Sequence, residues 1–324
     1  MNRISRKATV ALALAAALSC GGPTLAQQQS PKPAADPQNG QVEEIVVTAR
    51  RSGIPVWRVS GPATTVILVG SIQEVSKATK WEPGNLTSAL RKADRVMFPQ
   101  TLQLTASPFA MVGWMVKLAR MANMPKGQSL REMMPAAEFN RLVSLERQGI
   151  LKPGFERRHP LILALQLHDY ADGKAGTGTD AEEYVRRAAR KYKLQQVPFQ
   201  KLKANKSINA VFKSEPREHV PCLVASIALA EAGSGAVQAR SDAWAQRRIA
   251  DVLASPAERA FQACDLDHYL ESRPDWQGTL RRTFAEPQVT VAVLNLASLA
   301  ARGGTLDQLA AAGFDVQGPD WRSR

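Results

Sequence analysis

The run Val289-Thr290-Val291-Ala292-Val293-Leu294 constrains the fold more than any other stretch. A strand turns successive side chains to opposite faces, so a run without polar alternation needs cover on both faces, as a central strand of a helix-covered sheet has. Two more runs support such a sheet. Thr64-Thr65-Val66-Ile67-Leu68-Val69 ends at Gly70, and Val96-Met97-Phe98 follows a stretch, Asn85 to Ala93, in which Leu86, Ala89, Leu90 and Ala93 share one helical face. The order strand, helix, strand implies a right-handed crossover and a parallel pair. Val56-Trp57-Arg58-Val59, set off by Gly61-Pro62, reads as a hairpin partner or neighbour of the first run. The fold class is therefore α/β, with a central mixed, largely parallel sheet covered by helices.

Between Thr101 and about Phe212 strand patterns largely disappear, and helical periodicity marks Met111 to Met121, Ala136 to Gln148, Leu161 to Ala171 and Asp180 to Tyr192, the last with Asp180 and Glu183 as a capping pair. This is a mainly helical insert between the amino- and carboxy-terminal strand regions. Its methionines Met111, Met115, Met121, Met124, Met133 and Met134 read as core filler. Its basic cluster, Arg186, Arg187, Arg190, Lys191, Lys193, Lys201, Lys203 and Lys206, reads as a solvated helix face. Beyond Pro221 helices are expected at Cys222 to Ala232, Ala236 to Ala254, Ala257 to Glu271, in a short stretch ending Leu280 to Phe284, and at Leu306 to Ala312. Gly233-Ser234-Gly235 serves as a linker, Gly313 as a cap, and Phe314-Asp315-Val316 as a closing strand.

The amino terminus has its own logic. Arg3, Arg6 and Lys7 precede an apolar run, Ala8 to Leu18, and a Thr24-Leu25-Ala26 step, the pattern of a secretory signal peptide cleaved after Ala26. Lipid anchoring through Cys20 is disfavoured, because Ala17-Leu18-Ser19 lacks the usual Leu three residues ahead. The expected destination is the periplasm, with no further apolar stretch of spanning length. Residues 27–52 form a polar tether containing Glu43 to Arg50, which reads either as a TonB box, able to add a strand to TonB, or as an edge strand. One domain then runs over 53–320, with its insert at about 101–212. Without the leader two cysteines remain, Cys222 and Cys264, which either form a disulfide or stay as two buried thiols. A net charge of +13 favours acidic partners, yet few aromatics interleave with the basic cluster, and no nucleic-acid binding is expected.

From Val56 onward the wording resembles the TraB/GumN family, which includes the metal-dependent Tiki proteases and is similar in fold to the erythromycin-esterase and ChaN-like proteins. The likeness is carried by Pro55-Val56-Trp57, Gly70-Ser71-Ile72-Gln73, Trp81-Glu82-Pro83, Ala93-Asp94 before a strand, Asn295-Leu296-Ala297-Ser298-Leu299, Leu306-Asp307-Gln308-Leu309 and Gly313-Phe314. The resemblance implies two Gly-x-x-His motifs and a Glu that hold a divalent metal and activate its water. Here Gln73 and Ser298 stand where the family has His. Asn295 replaces a Gly, and Pro99, with Gln100 beside it, replaces the Glu. Amide and hydroxyl oxygens bind transition metals far more weakly than imidazole or carboxylate.

Other chemistries find no foothold. His159, His168, His219 and His268 fit no ligand spacing and read as surface or capping residues, and Gly-x-Ser-x-Gly is absent. Glu74 is the best surviving carboxylate. The expectation is a cofactor-free periplasmic protein binding a peptide or envelope component around Gly70, Gln73, Glu74, Gln100, Asn295 and Ser298. The alternatives are a hydrolase with a rearranged site, or an adaptor engaging TonB.

Overall fold

Thr290, Val291, Ala292, Val293 and Leu294 are all buried, and five consecutive buried positions in a strand place cover on both faces of the sheet. A computed structural model describes residues 53–61, 64–98, 101–103, 108–198, 201–265 and 276–323. In chain order it contains β1 (Val56–Ser60), β2 (Thr65–Ser71), α1 (Gly84–Lys92), β3 (Arg95–Phe98), β4 (Thr101–Gln103), α2 (Pro108–Met121), α3 (Leu130–Met133) and α4 (Ala136–Arg147). There follow α5 (Pro160–Ala175), α6 (Ala181–Tyr192), β5 (Gln195–Pro198), β6 (Lys201–Lys203), α7 (Ala204–Val211) and α8 (Val220–Ala245). The chain continues with α9 (Ile249–Ala254), α10 (Pro256–Ala263), α11 (Trp276–Ala285), β7 (Thr290–Asn295), α12 (Leu296–Ala300), α13 (Thr305–Ala311) and β8 (Asp315–Gln317).

The main sheet has the order β5-β3-β7-β2-β1-β8. β5, β3, β7 and β2 run parallel, while β1 is antiparallel to β2 and to β8, so the sheet is mixed and largely parallel. The hairpin of β1 and β2 forms as the Gly61-Pro62 break suggests. The crossover through α1 does not make β2 and β3 neighbours, because β7, the most apolar strand, takes the central position between them. A second correction concerns the insert: β5 lies inside the segment expected to be helical and is an edge strand of the main sheet, paired with β3. β4 and β6 pair in parallel as a separate two-stranded ribbon.

Helix ends follow local chemistry. Asp180 Oδ1 accepts the Glu183 backbone N–H at 2.7 Å, and Ala181, Val185, Ala188 and Ala189 of α6 face the sheet core. Pro160 opens α5, where His159 Nδ1 accepts from the Leu161 N–H. Gly313, at φ 84°, closes the turn after α13. One core is centred on the sheet, and a second is built from α4, α5 and the first part of α8. The segment Pro216–Ala245 is long and apolar enough, by length and composition, to cross a membrane, which corrects the expectation that no such stretch follows the leader. It is interrupted at Gly233 (φ 64°, ψ −163°), at the linker anticipated from Gly233-Ser234-Gly235. Cys222 and Cys264 stand at disulfide distance, with S–S 2.06 Å and Cα–Cα 4.6 Å.

Two side-chain expectations are overturned. Met115 is 71% exposed, so the methionines are not uniformly core filler, although Met134 is buried. His159, His168 and His219 are buried rather than superficial. His159 keeps its capping role. Burial, with His219 nearby, drives its pKa down to about 4. Arg187, Arg190, Lys191 and Lys193 are exposed, whereas Arg186 pairs with Glu182 and lies over the Phe98 ring. His268 and residues 1–52 lie outside the described residues, as do the signal-peptide, Cys20 and TonB-box expectations.

Candidate functional site

In open α/β sheets ligands bind beyond the carboxyl ends of the parallel strands. β2 and β7 pair with Gly70 opposite Leu294 and Ser71 opposite Asn295, so the segments carrying Gln73 and Ser298 leave the same sheet edge side by side. β3 flanks β7 in the same direction. Pro99 and Gln100 follow it and lie outside the described residues. Gly70 is fixed by close approach: a Cβ there would come within 2.7 Å of Leu296 Cδ1 and 3.1 Å of Trp57 Cζ3. Its N–H donates to the Pro55 carbonyl at 3.0 Å, and its carbonyl accepts from Trp244 Nε1 at 2.8 Å.

The segment after β2 is held by the second part of α8. The Ser76 N–H donates to Ser241 Oγ at 2.9 Å, and the Ser76 hydroxyl donates to Gln238 Oε1. Gln238 Nε2 donates to Thr79 Oγ1 at 3.0 Å and to Asp242 Oδ1 at 2.8 Å, while Thr79 Oγ1 donates to Asp242 Oδ1 at 2.7 Å. On its other side the segment bonds the strip after α5, through Lys77 N–H to the Gly176 carbonyl (3.1 Å) and Gly178 N–H to the Val75 carbonyl (2.7 Å). Trp81 packs edge-on against Trp244 and Tyr184. Ser71, Ile72, Val75, Ser76 and Thr79 are buried, and Gln73 remains exposed on this anchored frame.

Beneath Gln73 lies a buried guanidinium. Arg240 donates through Nη2 to the Gln73 carbonyl and, at 3.0 Å, to the Glu74 carbonyl. Its Nη1 pairs with Glu258 at 3.4 Å, both side chains being almost fully buried, and the Phe261 ring sits 4.6 Å from its Cζ. Burial is the larger influence and raises the Glu258 carboxyl, with the Arg240 charge opposing it. Glu74 adopts φ 50°, in the left-handed region, and its Oε2 accepts from Thr177 Oγ1 at 3.0 Å. Burial, reinforced by the Glu74 charge and opposed by Arg240, raises the Asp172 carboxyl to about 6. Among the described residues Asp172 Oδ1, Arg240 Nε and Glu258 Oε1, all buried, meet no hydrogen-bond partner.

On the β7 side, Asn295 Oδ1 caps α12, accepting from the N–H groups of Ala297 (2.8 Å) and Ser298 (3.3 Å). Ser298 is exposed, and its carbonyl accepts from Thr305 Oγ1 at 3.2 Å. Gly70 and Asn295 therefore lie on paired strands at one edge, and Gln73, Glu74 and Ser298 follow within three residues of those strands' ends. The donor set does not fit a divalent metal: the Asn295 oxygen is committed to its helix, Gln73 offers an amide, Ser298 a hydroxyl, and a guanidinium backs the loop. Among the described residues no group of three or more His, Cys, Asp or Glu side chains comes together in metal-holding geometry.

A pocket of about 680 Å³ opens beside this edge, at the start of β1 and of α1. Arg58, Glu82, Asn85, Ser88, Arg247 and Gln317 supply its polar lining, and none of Gly70, Gln73, Glu74, Asn295 and Ser298 contributes to it. Sequence reasoning missed the residues that anchor the edge, Gln238, Arg240, Ser241 and Trp244. The available signal was an Arg and a Trp four residues apart, on one face of an alanine-rich helix.

No curated protein and no solved structure matches the chain. The profile of the TraB/PrgY/GumN family matches residues 55–318, from the residue before β1 to the residue after β8. The match takes in every strand of the main sheet and the whole edge built by β2, β7 and α8, and this chain belongs to the TraB/PrgY/GumN family.

Proposed function

We propose that this family member is a non-catalytic, exported binding protein that takes a peptide or envelope component at the carboxyl edge of β2 and β7. One observation carries the reading. The two positions that the family resemblance assigns to imidazoles hold Gln73 and Ser298, both exposed on backbone that is anchored from below. Amides and hydroxyls presented on a fixed frame hydrogen-bond a peptide backbone or a polar headgroup, and the frame lowers the ordering cost of binding. A buried Arg240 beneath the loop disfavours a second cation there, in line with recognition and against metal-assisted hydrolysis.

The signal-peptide-like pattern of residues 1–26 and the oxidisable pair Cys222 and Cys264 support a periplasmic setting. Elemental analysis of protein purified without chelators tests the reading. The expected result is less than stoichiometric zinc, manganese or cobalt, and a full equivalent of any of them, lost on replacing Gln73 or Ser298 by Ala, overturns it. Binding is tested on an array of extended peptides. Gln73→Trp and Ser298→Trp, which crowd the edge without touching the core, should abolish peptide retention, and retention unchanged in both places the ligand elsewhere.

A further inference from the structure

α2 presents a surface that the rest of the molecule leaves open. Its sequence, Pro108 to Met121, is apolar apart from Lys117 and Arg120. Met115, Val116, Lys117, Leu118, Ala119 and Arg120 are all exposed, Met115 by 71%, Leu118 by 49% and Val116 by 46%. Six consecutive exposed positions exceed one 3.6-residue turn, so among the described residues this part of the helix is left largely uncovered, with a side-chain bond from Lys117 to Asn209. A helix apolar on all sides is normally enclosed by a core or by lipid, and here the core does not enclose it.

The charge around it selects the covering. From Thr101 to Arg131 the chain has no Asp or Glu, while Lys117, Arg120, Lys126 and Arg131 are basic. From Tyr184 to Ser214 it again has none, with Arg190, Lys191, Lys193, Lys201, Lys203, Lys206 and Lys213 beyond Arg186 and Arg187, which pair back to Glu182 and Glu183. These two acid-free stretches meet in space: β4 pairs with β6, and Lys117 Nζ donates to Asn209 Oδ1 at 2.8 Å, joining α2 to α7. A second copy of this chain would bring like charge against like charge. A protein groove covers a stripe of a helix, whereas an interface of acyl chains and acidic headgroups encloses it on all sides and supplies the opposite charge.

We infer that α2, with the basic residues around it, docks this protein on an anionic phospholipid surface. The helix is 14 residues long, about 21 Å, too short for a hydrocarbon core of about 30 Å, so it lies in the headgroup boundary rather than spanning. β4 begins three residues beyond the end of β3, whose carboxyl end lies on the same side of the sheet as those of β2 and β7. The inference stands independently of what that edge binds.

The test uses the chain from Gln27 to Arg324, which retains the compact unit Arg51–Arg324 and omits the apolar leader. It is sedimented with vesicles of phosphatidylcholine alone or of phosphatidylcholine mixed with phosphatidylglycerol. Binding to the phosphatidylglycerol vesicles only, weakened by salt, is expected. Met115→Glu with Leu118→Glu should lower partitioning roughly 100-fold, and Lys117→Glu with Arg120→Glu roughly 30-fold, with thermal unfolding unchanged in both. Three results overturn the inference: equal binding to neutral vesicles, partitioning unaffected by either pair of substitutions, or a lipid-free dimer that Met115→Glu with Leu118→Glu dissolves while vesicles are not bound.

Discussion

α2 and α8 are both apolar helices, and they end in opposite environments. α8 passes the length and composition test for a membrane span, yet it buries Cys222, Leu223, Ile227, Val237 and Trp244 and uses its few polar groups to hold the segment after β2. α2 is shorter, and six of its consecutive residues are exposed. Composition gives a helix an apolar surface, and the surrounding elements decide whether that surface becomes core or interface. In α8 Gln238, Arg240 and Ser241 turn inward to partners, and in α2 Lys117 and Arg120 are exposed.

Substitutions rank the two helices. Trp244→Ala removes a fully buried ring and the bond to the Gly70 carbonyl, and should cost about 4–5 kcal/mol in chemical unfolding. Cys264→Ser opens a crosslink of sequence separation 42, worth about 4 kcal/mol by loop entropy, and the midpoint of the wild type should fall equally on adding reductant. Arg240→Met strands the buried Glu258 and should cost about 3–4 kcal/mol, while Arg240→Met with Glu258→Leu should recover most of that loss. If the double variant recovers nothing, the guanidinium's bonds to Gln73 and Glu74 matter more than its charge pair.

A smaller effect separates the electrostatics of the α5–α8 contact. The folded Asp172 pKa of about 6 lies above the usual 3.8, so the folded protein holds a proton between those values that the unfolded chain releases. The associated stability is present below about pH 4 and is lost as pH rises through 6. Asp172→Asn should therefore stabilise by about 1 kcal/mol above pH 6, after allowance for solvent screening, and change little at pH 4. His159 runs the other way: with its pKa lowered to about 4, stability is lost as pH falls below 6.5, and the Asn variant leaves that slope alone. At the bottom of the ranking, Met115→Ser in α2 should shift stability by less than about 0.5 kcal/mol, which is what distinguishes an uncovered helix from a core one.

Much of the fold was legible because β7 and β2 are near-continuous apolar runs that report burial directly. β5 was not, because Gln195-Gln196-Val197-Pro198 is a half-exposed edge with no apolar alternation. The position of β7 between β2 and β3 was also hidden, since chain order does not encode which distant strand inserts into a crossover. At the site, Gly70, Gln73, Asn295 and Ser298 could be placed by motif wording. The Arg240 and Glu258 pair could not, because periodicity marks α8 as apolar without saying which polar residues turn inward. For the same reason Met115 was read as core: spacing announces a helix, not its neighbours.

The central claim, that Gln73 and Ser298 present a recognition edge and not a hydrolytic one, is tested most directly by incubating the protein with unfolded peptide substrates, with manganese or cobalt and with chelator. The account predicts intact peptides under all three conditions. Cleavage that appears with the cation, disappears with chelator and is lost in Gln73→Ala would contradict it.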